Sequence, residues 1–274
     1  MRPICFLSDF GLADDFVGTC KGVIASIAPG ANVIDLTHEV PGFEVAAGAE
    51  VLQHATRYMP PDTVYLAVVD PGVGTKRRAL ALRTREGPLM VGPDNGLLIP
   101  AVESLGNASE AVKLTNDEYH VRPVSSTFHG RDVFAPAAAH LAAGLDLAKL
   151  GKRVSPDSLL PLTLPSFEAV SDGSCKAQIL DIDRYGNARL SMLREEANIE
   201  YGARLEVDSG DGWMPVRHLA TFGAAQDGEL VLVPDSHWRL SLAINKGSAA
   251  HALSLRRGGE VRLRSTDSDD GTSS

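Results

Sequence analysis

The chain has 274 residues, 44% hydrophobic and 22% charged, the balance of an ordinary globular protein with one large or two modest domains. Its 26 basic and 35 acidic side chains leave a formal net charge of −9, which argues against a nucleic-acid surface or a cationic membrane helix. No apolar run approaches the ~18 residues of a transmembrane span, the N-terminus lacks the pattern of a secretory signal, and Cys5, Cys20 and Cys175 read as reduced thiols of a cytoplasmic protein.

In chain order, residues 3–8 read as a strand ending at Asp9-Phe10-Gly11. Helical spacing follows over 16–27, with Val17, Val23, Ile24 and Ile27 on one face. A short strand at 32–36 leads to Thr37-His38, and an alanine-rich helix at 45–58 is stopped by Pro60-Pro61. Strands are expected at 63–69, 79–84 and 89–91, and helices at 97–105 and 133–143. This alternation implies an α/β domain with a central sheet flanked by helices, over residues 1–160. Prolines 156, 161 and 165 suggest a linker. Short strands with Gly and Asp turns then predict a smaller, mainly β C-terminal domain over 168–264, with strands at 175–181, 188–191, 204–207, 229–233, 240–244 and 260–263. Residues 265–274, all Ser, Thr, Asp or Gly, read as a disordered tail.

The run Val69-Asp70-Pro71-Gly72-Val73-Gly74-Thr75-Lys76-Arg77-Arg78 places a carboxylate at the end of an apolar strand, with guanidinium groups a few residues on. Ligands of open α/β sheets bind outside the carboxyl ends of strands. Gly92-Pro93-Asp94-Asn95-Gly96 and Thr127-Phe128-His129-Gly130-Arg131-Asp132 have the same character, so one site built from several loops is expected. Asp70, Arg77 and His129 together can hold a water: histidine accepts a proton near neutral pH, arginine stabilises hydroxide, and aspartate orients either. Asp70 and Arg77 as a structural ion pair, and His129 as an ordinary loop histidine, are the alternatives. Asp9 suits a ribose diol or a helix cap. In Asp183-Arg184-Tyr185-Gly186-Asn187, Asn187 either shapes a turn or pairs with a purine edge. Asn245-Lys246-Gly247-Ser248 is similar in kind. The sequence carries no dinucleotide fingerprint, P-loop, Gly-x-Ser-x-Gly elbow or zinc spacing, and Asp9-Phe10-Gly11 lacks the rest of a kinase signature.

Taken in order, these segments, with Ser8-Asp9-Phe10-Gly11 and Asp35-Leu36-Thr37-His38, resemble the S-adenosyl-L-methionine hydroxide adenosyltransferases, relatives of the fluorinase and chlorinase. The resemblance implies hydrolysis of S-adenosyl-L-methionine to adenosine and L-methionine, with no cofactor and no metal. It implies a catalytic triad of Asp70, Arg77 and His129. Asp9 then binds the ribose, Phe43 forms an aromatic wall, Asp183 is the carboxylate for the amino group, and Asn187 is the family's substrate-binding asparagine of the C-terminal domain. Asn245 and Lys246 belong to an adenine-contacting segment, and Ser236 with His237 lies near the methionine carboxylate. In one implied scheme His129 takes the proton of water while Arg77 stabilises the hydroxide and Asp70 orients them. In another, Arg77 and Asp70 alone hold a preformed hydroxide. Halogenases carry tyrosine at the place of Asp70; the fluorinase carries serine at the place of Gly130, but the chlorinase carries glycine there too, so it is Asp70 and His129 together that favour water as the nucleophile. A chlorinase-like halogenase and a non-catalytic nucleoside-binding sensor are the alternative functions. The family further implies a homotrimer with sites shared between subunits, and no nucleic-acid or membrane partner.

Overall fold

The computed structural model describes residues 1–266, which fall into two compact units, Met1–Leu164 and a second beginning at Pro165. The first grows around β1 (Ile4–Ser8), an apolar strand buried along its whole length. In chain order it continues with α1 (Phe16–Ile27), β2 (Val33–Thr37), α2 (Val45–Ala55), β3 (Val64–Val68), β4 (Ala79–Thr84), β5 (Leu89–Pro93), α3 (Ile99–Ser104), β6 (Ala108–Leu114), α4 (Ala135–Ala142) and β7 (Gly151–Val154). Successive side chains of a strand point to opposite faces. Ile4 and Phe6 therefore pack with Val17 and Ile24 of α1 and Leu141 of α4, while Cys5 and Leu7 pack with Leu52 of α2 and Val102 of α3. Full burial of side chains such as Phe6 and Leu52 contributes about 1.5–3 kcal/mol each.

The seven strands follow the order β2-β1-β3-β5-β4-β6-β7. β1, β2, β3 and β5 run parallel, whereas β4, between β5 and β6, is antiparallel to both, and β7 is antiparallel to β6. The sheet is thus mixed and covered by helices on both faces. Because β2 adds to one side of β1 and β3 to the other, the winding reverses there. The crevice beyond the carboxyl ends of β1 and β3 is a topological switch point, and Asp9 and Asp70 leave those two ends.

Most elements fall within two residues of their sequence-based bounds. The helix expected over 45–58 ends at Ala55 and tightens into a 3₁₀ turn, Thr56–Tyr58. The helix expected from 133 is preceded by a π-helical turn, Gly130–Phe134, a feature frequent at functional sites. Strands β6 and β7 do not stand out in the sequence: β6, between β4 and β7, mixes Ser, Glu and Lys among its apolar residues, and β7 is a short, half-exposed edge strand, so both carry little periodic signal. Much of the expected linker packs on the first unit, where Leu159, Leu162 and Leu164 join the α2–α3 side of the core.

The second unit comprises β8 (Glu168–Ala169), β9 (Cys175–Ile182), β10 (Ala188–Leu193), α5 (Arg194–Ala197), β11 (Arg204–Asp208), β12 (Trp213–His218), β13 (Leu230–Pro234), β14 (Arg239–Ile244), α6 (Ala249–Ala252) and β15 (Glu260–Ser265). Its order β10-β14-β13-β12-β11-β15-β9 closes through a β9–β10 pairing, giving a barrel-like ring of seven strands with β8 appended to β9. β12 escaped the sequence reading because Pro215 interrupts it. The structure tolerates that proline because β12 pairs with β13 only at Arg217 and His218. Of the tail expected from 265, Ser265 closes β15 opposite Leu205, and the Thr266 hydroxyl donates to the Arg204 carbonyl at 2.9 Å. The remainder, 267–274, lies outside the described residues.

Candidate active site

Asp70 follows β3 by two residues and is 9% exposed. Arg77 returns to it through a glycine-rich loop and donates from Nε to Oδ1 at 3.0 Å and from Nη2 to Oδ2 at 2.5 Å. Such a bidentate pair fixes both planes. Nη2 also reaches Nδ1 of His129 at 3.2 Å, Nη1 donates to the Arg78 carbonyl at 3.0 Å, and the guanidinium lies 5.2 Å from the centroid of the Phe134 ring. The neighbouring Arg78 is engaged elsewhere, on Asp94 at 2.5 Å, so Arg77 is the arginine of this run that pairs with Asp70. Gly74 makes the loop's approach to the 126–129 segment possible. Its φ is +76°, and a Cβ there would stand 2.4 Å from the Ser126 carbonyl oxygen.

A cavity of about 240 Å³ opens beside this cluster. Asp70, His129, Asp9 and Phe43 line it, and Arg77 does not. Arg77 therefore sits behind the wall, with four of its five N–H groups committed to Asp70, His129 and Arg78. Asp9 accepts the Phe43 N–H at 3.0 Å. Burial, reinforced by the Asp70 carboxylate, raises its pKa despite that bond. Phe43 is 72% exposed with a φ of +67°, a strained conformation for an aromatic residue. Burial and then the Arg77 charge lower the pKa of His129, against the opposing pull of Asp70 and Asp132.

Three lining rings escaped the sequence reading. Phe10, Phe16 and Phe128 meet edge to face, with centroids 5.1–6.1 Å apart. They come from three separate segments, and no local periodicity joins them. Gly130 lies against two of them: a Cβ there would be 2.7 Å from Phe10 Cζ and 3.2 Å from Phe128 Cε2.

Two further motifs brace the site from behind. Asn95 donates from Nδ2 to the Val69 carbonyl at 2.8 Å, which anchors the peptide entering Asp70. Asp94 accepts from Arg78 and from the Leu160 N–H at 3.0 Å, so it ties down the segment after β7. His38 is buried, its Nδ1 2.8 Å from the Ser8 hydroxyl and its Nε2 3.1 Å from Asp35, which also pairs with Lys21. This Ser8–His38–Asp35 line has the order of a hydrolase triad. Ser8, however, is fully buried, and its role is to hold the turn carrying Asp9, where Gly11 N–H donates to the His38 carbonyl.

The remaining expected residues lie in the second unit. Asp183 accepts from the Tyr185 and Asn187 N–H groups and, at 2.8 Å, from Asn187 Nδ2. The Ala250 N–H donates to the Gly186 carbonyl, which joins this turn to the segment after Asn245. Asn245 spends its amide on the Ala225 carbonyl at 2.9 Å, and Lys246 pairs with Asp227. Asp183, Asn187, Asn245 and Lys246 therefore share one end of β14. Ser236 and His237 lie in the turn before β14, at its other end, about 20 Å away along a six-residue strand.

The model of the SAM hydroxide adenosyltransferase N-terminal domain matches residues 4–151, and that of the C-terminal domain matches 177–262. The (R)-S-adenosyl-L-methionine hydrolase of Salinispora tropica is 44% identical over 264 residues, covering 95% of this chain and 97% of that protein. A fluorinase of Actinoplanes sp. is 30% identical over 283 residues, covering 93% and 95%. The crystal structure of an uncharacterized conserved protein from Thermotoga maritima superposes with a TM-score of 0.87 at 36% identity, covering 95% of this chain and 99% of that one. The two family domains span the chain in order, one over each unit, and this protein belongs to the SAM hydroxide adenosyltransferase family.

Proposed function

We propose that this chain hydrolyses S-adenosyl-L-methionine to adenosine and L-methionine by attack of a water-derived oxygen at C5′. The observation that carries the reading is the pairing of Asp70 and His129 on one pocket wall, both held by Arg77. The hydrolase relatives at 43–44% identity, against fluorinases at 29–30%, favour water over halide. The substrate's sulfonium is already a good leaving group, so departure needs no acid. The difficulty is the nucleophile, because bulk water has a pKa of about 15.7. A wall that presents a carboxylate and an imidazole to one water, and a pocket that aligns it opposite sulfur, addresses that difficulty.

In this reading Asp9 binds the ribose diol and Phe43 walls the nucleoside. Asp183, Asn187, Ser236, Asn245 and Lys246 contact the base and the amino-acid end. No cofactor takes part. The R configuration at sulfur, which the hydrolase relatives' names specify, is part of the proposal. A homotrimer with shared sites and a cytoplasmic location complete it. The family resemblance supports the first, and three free cysteines support the second. The test is incubation with the separated sulfur epimers and chromatography of the products. Adenosine and methionine in equal amounts from the R epimer are expected; methylthioadenosine or adenine as the enzymatic product would contradict the reading.

A further inference from the structure

The contact between Arg77 and His129 decides which way a proton can move. Arginine has N–H donors and no acceptor, and it stays protonated. Its Nη2 lies 3.2 Å from His129 Nδ1, so Nδ1 must accept. A neutral imidazole whose Nδ1 accepts carries its hydrogen on Nε2. The guanidinium cannot turn aside, because it is bound to both oxygens of Asp70, to the Arg78 carbonyl and over Phe134. Arg77 is behind the wall and His129 is on it. With Nδ1 turned toward Arg77, the ring edge left for the pocket bears Nε2–H, a donor. For His129 to act as a base at Nε2, its hydrogen would have to sit on Nδ1, head to head with the Arg77 N–H.

We propose that His129 donates a hydrogen bond to the oxygen of the nucleophilic water, and that Asp70 takes the proton from that water. The assignment rests on the functional reading above and deepens it. Each Asp70 oxygen accepts one bond from Arg77 and has a second lone pair, and Asp70 lines the pocket. One guanidinium thus holds the donor and the acceptor in fixed relation, and a single water can span them. The step balances: the O–C5′ bond forms, the C5′–S bond breaks with its electron pair passing to sulfur, and one water proton passes to the Asp70 carboxylate and then to solvent. Arg77 touches no reacting atom and is a positioning residue.

The tautomer is measurable without any substrate. In the full-length protein labelled with ¹⁵N at histidine, His129 is assigned by comparison with His129→Gln. At neutral pH the expected signature is a protonated Nε2 with an unprotonated Nδ1. A protonated Nδ1 with a bare Nε2 would overturn the assignment. Kinetics give the second reading. Gln places a donor at the reach of Nε2 and cannot serve as a base, so His129→Gln is expected to keep kcat within about tenfold, against the 10²–10⁴-fold loss that removal of a general base brings. A folded His129→Gln as slow as His129→Ala would also overturn the assignment. Absence of turnover by the unaltered chain would instead overturn the functional reading, with the tautomer still open to measurement.

Discussion

Arg77 and His129 stand 52 positions apart in sequence, and a single guanidinium nitrogen, Nη2, joins them while also holding Asp70. The side chains of Arg77 and Asp70 are 7% and 5% exposed. Removing one partner of such a buried pair leaves the other charge uncompensated, at a cost of about 3–5 kcal/mol. Arg77→Ala should therefore lose both stability and turnover. Arg77→Lys should recover part of the stability and little of the turnover, because an ammonium cannot reproduce the fork to Asp70 and the bond to His129 together. Denaturant titration alongside kcat checks this; near-normal turnover for Arg77→Lys would contradict it.

Asp9→Asn should separate stability from binding. The raised pKa means that folding disfavours the Asp9 carboxylate, so its stabilising contribution exists only at acid pH and is lost as pH rises through the folded value. At neutral pH the charged side chain is a liability that asparagine removes, while its Oδ1 still accepts the Phe43 N–H. The variant should melt at a higher temperature and bind adenosine more weakly. A lower melting temperature at pH 7 would count against the burial argument.

Gly130 is fixed by the rings around it, because a Cβ there would meet Phe10 at 2.7 Å. Gly130→Ala should cost about 1–3 kcal/mol by overpacking. Phe10→Leu in the same chain should relieve much of that cost, so the two changes should be non-additive. A double-mutant cycle by thermal denaturation measures the coupling, and strict additivity would show that Phe10 is not what excludes the side chain.

His120, His129, His140 and His218 all have lowered pKa values, burial being the first cause in each. Each binds its proton less readily when folded than at its unfolded value near ~6.5. Their contribution is present above that value and lost as pH falls through the folded values. Stability should therefore fall from pH 7 toward pH 5. His218→Asn, which removes one of these sites, should flatten the slope in that window.

Much of the site was readable before the structure. Asp70 stands out because an apolar run ends at it, and Arg77 follows within the same glycine-bearing run. The contacts that define their chemistry were not readable. The bond from Arg77 to His129, the packing of Phe10 against Gly130 and the amide of Asn95 beneath Val69 all join residues far apart in sequence. The Gly92-to-Gly96 motif looked like a ligand loop, and its Asp94 and Asn95 instead hold neighbouring backbone in place. Pro215 hid β12, because a proline argues against a strand until the partial pairing on its β13 side is known.

The most direct measurement follows the oxygen. With unaltered protein in ¹⁸O-enriched water, attack of solvent at C5′ predicts label in the 5′-hydroxyl of adenosine and none in methionine, with little 5′-halo-adenosine when chloride or fluoride is added. Mass spectrometry of both products reads this out. Unlabelled adenosine, label in methionine, or a dominant halo-nucleoside would contradict hydrolysis by a water held between Asp70 and His129.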